Sequence, residues 1–298
     1  MDRRILYFIN PNAGPSRERP EARIAEATSK ENIPFEFQVT DASGEYPFLK
    51  DKVQLEGITD VVICGGDGTV NQVVAALLNV DVNIGIIPMG SGNGLAFAAK
   101  IPHNINKALK LVFSGKARAV DAFFINEKFS CMLCGVGFDA QVAHDFAKQP
   151  KRGLSTYIQQ TIINFIRASP YPFDITIKGK SFSTDAFFIS IANGNQFGNN
   201  FKIAPKAALD DGMIDLIVVN KMSKAMLLWS VIKHIVSGKV SHHEERHFHK
   251  KEVLYFQAEN VIIHNHSLAP LHIDGDPVDT YKRFEVQVLP GAFRLIRP

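Results

Sequence analysis

The chain has 298 residues, 46% of them hydrophobic, enough to fill the core of one large or two modest domains. Its 33 Lys and Arg against 30 Asp and Glu leave a net charge of +3, too small and too evenly spread to indicate a nucleic-acid partner. Cys64, Cys131 and Cys134 are few, odd in number and set in apolar runs, which points to a reducing compartment rather than a disulfide framework.

Over the first 120 or so residues, strand-like and helix-like periods alternate. "ILYFI" is followed by "EARIAEATSKENI", "FEFQVT", a short helical piece, "DVVICGG", "TVNQVVAALLN", "NIGIIPMG", "GLAFAAK" and "NKALKLVFSG". Strands alternating with helices predict a mostly parallel, doubly wound sheet. Three of the strands end in loops rich in Gly, Asn or Pro: "NPNAG", "GGDGT" and "MGSGNG". In an open sheet of this kind ligands bind beyond the carboxyl ends of the strands, so these loops are expected to gather at one edge.

The pattern changes near Asn126. Apart from helical stretches at "LSTYIQQTIINFIRA" and "KAMLLWSVIKHIVSG", the remainder reads as short alternating runs, among them "FDITIKG", "AFFISIANG", "MIDLIVVN", "EVLYFQA", "NVIIHN" and "FEVQVLP". These predict antiparallel β structure, a sandwich or barrel. The opening "MDRRILYFINPNAG" lacks the apolar core and cleavage site of a signal peptide, and "KAMLLWSVIKHIV" is shorter than the roughly 20 apolar residues a spanning helix needs. The expectation is a cytoplasmic chain whose membrane contact is peripheral.

A glycine-built loop lets backbone N–H groups close on a phosphate, and the N-terminus of a following helix adds a favourable dipole. "GGDGTVNQVV" has both features. Its carboxylate, Asp67, suits Mg²⁺ or proton acceptance rather than phosphate contact, because like charges repel. The plainer reading is a tight turn with Asp67 or Thr69 as N-cap. "PMGSGNGLA" repeats the design with Ser91 and Asn93, and "INPNAG" adds Asn10 beside a backbone fixed by Pro11. The Walker pattern and the nucleophile elbow are absent. "GVGFDA" at Gly135 fits a relaxed dinucleotide fingerprint, but it stands outside an N-terminal βαβ unit. Cys131 and Cys134 read as core residues, "SHHEERHFHK" as a solvated charged connection, and "KQPKRG" as the basic start of an amphipathic helix.

In this order, "NPNAG", "GGDGTVNQVV", "PMGSGNGLA", "GVGFDA", "APKAALDDGMIDLIVV" and "IDGDPV" resemble the diacylglycerol kinase catalytic family, which includes bacterial lipid kinases and sphingosine and ceramide kinases. The resemblance implies an N-terminal, NAD-kinase-like doubly wound domain over residues 1–126, rejoined by 287–298, and a C-terminal antiparallel β-sandwich domain over 127–286. It implies transfer of the γ-phosphate of ATP to a lipid hydroxyl with Mg²⁺. Gly65, Gly66, Asp67, Gly68 and Thr69 match the nucleotide-binding element, while Asn10, Thr40, Ser91 and Asn93 match its other nucleotide contacts. Gly94 stands where many diacylglycerol kinases carry an aspartate. Asp276 of "LHIDGDPV" replaces the glutamate expected as general base, and an Asp-Gly-Asp run also reads as a hairpin turn. Asp211, with Asp215, matches a segment holding a structural cation such as Mg²⁺ or Ca²⁺; an Asp-Gly turn is the alternative. The partners implied are ATP, a lipid and the inner face of the membrane; edge strands of the β-rich domain offer a route to a homodimer. Two other functions fit parts of the pattern: an NAD kinase, and a nucleotide- or lipid-sensing protein without catalysis.

Overall fold

The computed structural model describes residues 3–14, 20–41, 43–150, 154–198, 201–202, 204, 206–220 and 253–298. The predicted helix at "KAMLLWSVIKHIVSG" and the histidine-rich "SHHEERHFHK" lie outside the described residues, as does part of "KQPKRG".

The first part runs β1 (Ile5–Ile9), α1 (Glu21–Lys30), β2 (Phe35–Val39), α2 (Leu49–Leu55), β3 (Asp60–Gly65), α3 (Asp67–Ala76), β4 (Asn83–Pro88), α4 (Gly94–Ala98) and α5 (Ile105–Ser114). β2, β1, β3 and β4 lie side by side and all pair in parallel. Alternation along β1 explains how helices cover both faces. Leu6 and Phe8 join a cluster with Leu49 and Val53 of α2 and Val70, Val73 and Val74 of α3. Ile5, Tyr7 and Ile9 point the other way, to Ile24 of α1 and Ala108, Leu109 and Val112 of α5. This is the doubly wound arrangement expected from the sequence.

The chain continues through β5 (Lys116–Ile125), β6 (Lys128–Ser130), β7 (Leu133–Gly137), α6 (Phe138–Ala147), α7 (Leu154–Arg167), β8 (Tyr171–Ile177), β9 (Lys180–Ala192), β10 (Gln196–Gly198), β11 (Phe201–Lys202), β12 (Ile214–Asn220), β13 (Val253–Ala258), β14 (Asn260–Asn265), β15 (Leu271–Ile273), β16 (Asp276–Val278) and β17 (Arg283–Arg297). From β7 onward nearly every pairing is antiparallel. Inward residues of β7, β8, β9, β12, β14, β15 and β17 form one core around Phe173, Ile189, Leu216, Ile263 and Phe284.

β17 was expected as a short strand but runs for 15 residues. Val286 pairs with Val261 of β14, whereas Leu295 pairs with Ile84 of β4, so one strand threads both halves. A register shift between Leu289 and Phe293 accompanies Pro290 and Gly291 and bends it on the way. The reach of this strand could not be read from its alternation, because Pro290-Gly291 resembles a turn.

Candidate active site

The three glycine-bearing loops meet, because their strands are parallel neighbours that end at the same level. The Asn10 N–H donates to the Cys64 carbonyl at 3.0 Å, the Met89 N–H to the Gly65 carbonyl at 2.9 Å, and the Thr40 N–H to the Ile9 carbonyl at 2.8 Å. The second and third loops touch backbone to backbone: a Cβ on Gly90 would stand 2.5 Å from the Cα of Gly66. Gly65 is bare for a similar reason, since a Cβ there would lie 2.8 Å from the Cβ of Thr69.

Several predicted contact residues hold the loops to one another. Asn10 Nδ2 donates to the buried Thr69 hydroxyl at 2.9 Å, and its Oδ1 accepts from the Asn12 N–H. Asn93 has φ +52 and clasps Gly90 through both amide atoms, at 2.9 and 2.6 Å. Ser91 is exposed at the loop tip.

Asp67 opens α3 but does not cap it; the N-cap is Gly66, which has no side chain to bond. Its carboxylate instead faces the N–H groups of Gly94, Leu95 and Asn93, at the start of α4. Burial pushes this carboxyl up to about 6, the Gly94 bond opposes the rise, and the negative charge of Asp274 adds to it. A lone acid in a bare loop therefore ties the second loop to the third. Gly94, where an aspartate would be expected, contributes a backbone donor to that tie.

The C-terminal half delivers the other carboxylate. β15 and β16 form a hairpin whose two-residue turn is Asp274-Gly275, with φ +49 and +90, the left-handed pair that Asp-Gly favours. The turn reading and the site reading of "DGDP" thus coincide. Asp276, directly after the turn, is exposed, and a Cβ on Gly68 would stand 2.7 Å from its Oδ2. The first turn of α3 and the hairpin are in direct contact.

Asp274 escaped the sequence reading. It is buried and accepts from Ser130 Oγ at 2.7 Å and from the N–H groups of Leu133 at 2.8 Å and Met132 at 3.2 Å. Asn71 of α3 also donates to it, so one side chain of the glycine-loop helix grips the hairpin turn. The available signal was a second acid in a turn that needs only one.

Asp211 and Asp215 sit apart from these loops. Asp211 accepts from the Met213 N–H at 3.0 Å, forming the Asp-Gly turn of the alternative reading, with Gly212 at φ +73. Asp215 is fully buried on β12, accepts from the Tyr255 hydroxyl, and has one oxygen with no partner among the described residues. Burial, then the charge of Asp211, pushes it up to about 7. Among the described residues no three His, Cys, Asp or Glu side chains group as a metal site, and no helix is long and apolar enough to cross a membrane.

Comparison with known proteins agrees with this geometry. Residues 4–125 match the diacylglycerol kinase catalytic domain, and 133–297, more than half of the chain, match the YegS C-terminal NAD kinase beta sandwich-like domain. A protein of Chromohalobacter salexigens named "Probable lipid kinase YegS-like" is 27% identical over 96% of this chain and 91% of its own. "Probable lipid kinase YegS" of Salmonella dublin is 27% identical over 90% and 88%. A crystal structure described as a diacylglycerol kinase from Bacillus anthracis str. Sterne superposes with a TM-score of 0.74 over 100% of this chain and 97% of that one; at 18% identity the likeness speaks for the fold. The chain belongs to the YegS and diacylglycerol kinase-like family of lipid kinases, phosphotransferases with an alcohol group as acceptor.

Proposed function

We propose that this protein transfers the γ-phosphate of ATP to the hydroxyl of a diacylglycerol or of a sphingoid or ceramide-like lipid, with Mg²⁺, at the cytoplasmic face of a membrane that it contacts peripherally. The observation that carries the reading is the contact between Asp276 and Gly68, which sets a carboxylate from the β-rich half against the glycine loop of the α/β half. Phosphoryl transfer asks a protein mainly for positioning and charge stabilisation. The bare loops and the first turn of α3 supply amide donors for phosphate oxygens.

Asp276 has one methylene less than the glutamate the family resemblance implies. With no Cβ at Gly68, the hairpin approaches closely enough for the shorter side chain to reach a hydroxyl proton. Mg²⁺ is commonly held by one or two carboxylates plus substrate phosphates. Asp67, which lies beside the charge of Asp274, and Asp276 fit that donor set. The cation would neutralise phosphate charge. Asp211, with carbonyls of its turn, would hold a separate structural cation, and the partnerless oxygen of Asp215 is compatible with one nearby.

The test is purified protein with labelled ATP and Mg²⁺ against diacylglycerol, monoacylglycerol, sphingosine, ceramide, undecaprenol and NAD. A labelled lipid is expected, and Asp67→Asn and Asp276→Asn are expected to be folded and nearly inactive. Labelled NAD, or tight ATP binding without turnover on any acceptor, overturns the reading.

A further inference from the structure

The "GVGFDA" turn takes no part in the loop edge described above. It joins β7 to α6 with Gly137 at φ +105, where a Cβ would lie 2.5 Å from the Phe187 carbonyl oxygen, so glycine is required. Gly135 is bare for another reason. A Cβ there would stand 2.0 Å from Asp139 Oδ2 and 2.4 Å from His272 Nε2. Gly135 and His272 are cross-strand partners, so the imidazole lies over the missing side chain.

Both partners are removed from water: the side chain of His272 is 4% exposed and that of Asp139 11%, with Nε2 and Oδ2 3.5 Å apart. Asp139 Oδ1 accepts from the Ala140 N–H at 2.9 Å, while its buried Oδ2 makes no hydrogen bond among the described residues. His272 Nδ1 accepts from the Gly275 N–H at 3.3 Å. A ring nitrogen that accepts carries no proton, so the N–H of the imidazole is on Nε2, the nitrogen nearest Asp139. Three other titratable groups lie close by. The Tyr157 hydroxyl is pushed up to about 12 by loss of water around its oxygen and then by the charge of Asp139, although the residue as a whole is 42% exposed. The Cys134 thiol is raised by burial and by Asp274. His144 Nε2 is engaged by the Leu271 carbonyl at 2.9 Å.

We infer that Asp139 and His272 are a positioning pair for the Asp274-Gly275-Asp276 turn. Asp139 selects the Nε2–H tautomer, and the freed Nδ1 takes the Gly275 N–H, which a two-residue hairpin turn leaves without a strand partner. α6, whose first turn carries Asp139, also packs on β16, so the pair is braced against the strand of Asp276. Gly135 is the condition for the arrangement, because any side chain there would occupy the space the pair uses.

The activity arm of the test rests on the lipid-kinase reading; the spectroscopic arm does not. His272→Ala is expected to lower kcat about tenfold or more while KM for ATP stays within about twofold, the signature of a misplaced reacting group. In His272→Asn the amide oxygen stands near the place of Nδ1, and most of the rate should return. His272→Gln puts its amide near Nε2 and should not restore it. Asp139→Asn combined with His272→Ala should be no slower than His272→Ala alone. Nitrogen-15 spectra of the wild-type imidazole, at about pH 7.5, should show the Nε2–H tautomer, and Asp139→Asn should mix the tautomers. Multiplying losses, a His272→Asn as slow as His272→Ala, or an Nδ1–H tautomer in the wild type overturns the inference. A wild type that labels none of the lipid acceptors counts against the proposed function, and the spectra still decide the pair.

Discussion

Gly68→Ala isolates the contact on which the site depends. Gly68 has no left-handed backbone, and its new Cβ would meet only Asp276, 2.7 Å from Oδ2 and 3.8 Å from Cγ. Ordinary contact begins near 3.4 Å, so the carboxylate oxygen must retreat by about 0.7 Å. Asp276 is exposed and can turn away, so the fold loses little; alanine in place of glycine in α3 gains up to about 1 kcal/mol. Displacement of about 1 Å from a reacting centre can cost up to about 100-fold, and the shift here predicts a fall in kcat of about tenfold, near 1.4 kcal/mol of barrier. The expected variant is as stable as the wild type or more so, and slower. Thermal melts and initial rates at saturating ATP, with KM for ATP measured alongside, decide it. A kcat within about twofold of wild type refutes the reasoning. So does a raised KM at unchanged kcat, which would place Gly68 against phosphate rather than Asp276.

Asp276→Asn should remain folded and lose about 100-fold or more in kcat, whereas Asp276→Glu should keep measurable turnover because the carboxylate is retained; equal loss in both would argue against proton acceptance. Gly90→Ala should destabilise the chain by about 1–3 kcal/mol in urea titration, because its Cβ would stand 2.5 Å from the Cα of Gly66 and backbone cannot swing aside. Asp215 holds its proton to about 7 in the folded chain against 3.8 ordinarily, so stability should fall as pH rises through that interval. Asp215→Asn should lessen the fall; parallel pH profiles for the two proteins would exclude Asp215 as its source.

Much of this protein was legible locally. Alternating periods and glycine-ended strands are short-range signals, and they were sufficient for the parallel sheet, the converging loops and the antiparallel second half. The Asp-Gly pair at 274–275 announced its turn because left-handed backbone favours those residues. What each acid does was decided by partners far away in sequence. Asp67 reads as a Mg²⁺ or proton-accepting group, or else a cap for its own helix, and its carboxylate faces the start of α4 across a loop. Asp274 is gripped by Asn71, 203 residues distant, by the Ser130 hydroxyl and by the backbone N–H groups of Met132 and Leu133. Gly135 fits only a relaxed dinucleotide fingerprint, and what requires it is the space between Asp139 and His272 that a Cβ would fill. Sequence by itself determined which backbone could bend and which strands could pair, since those preferences belong to single residues and their near neighbours. Only tertiary structure decided which carboxylates are buried, which are capped and which one meets the glycine loop, because desolvation and hydrogen bonding depend on whatever the fold brings within a few ångströms.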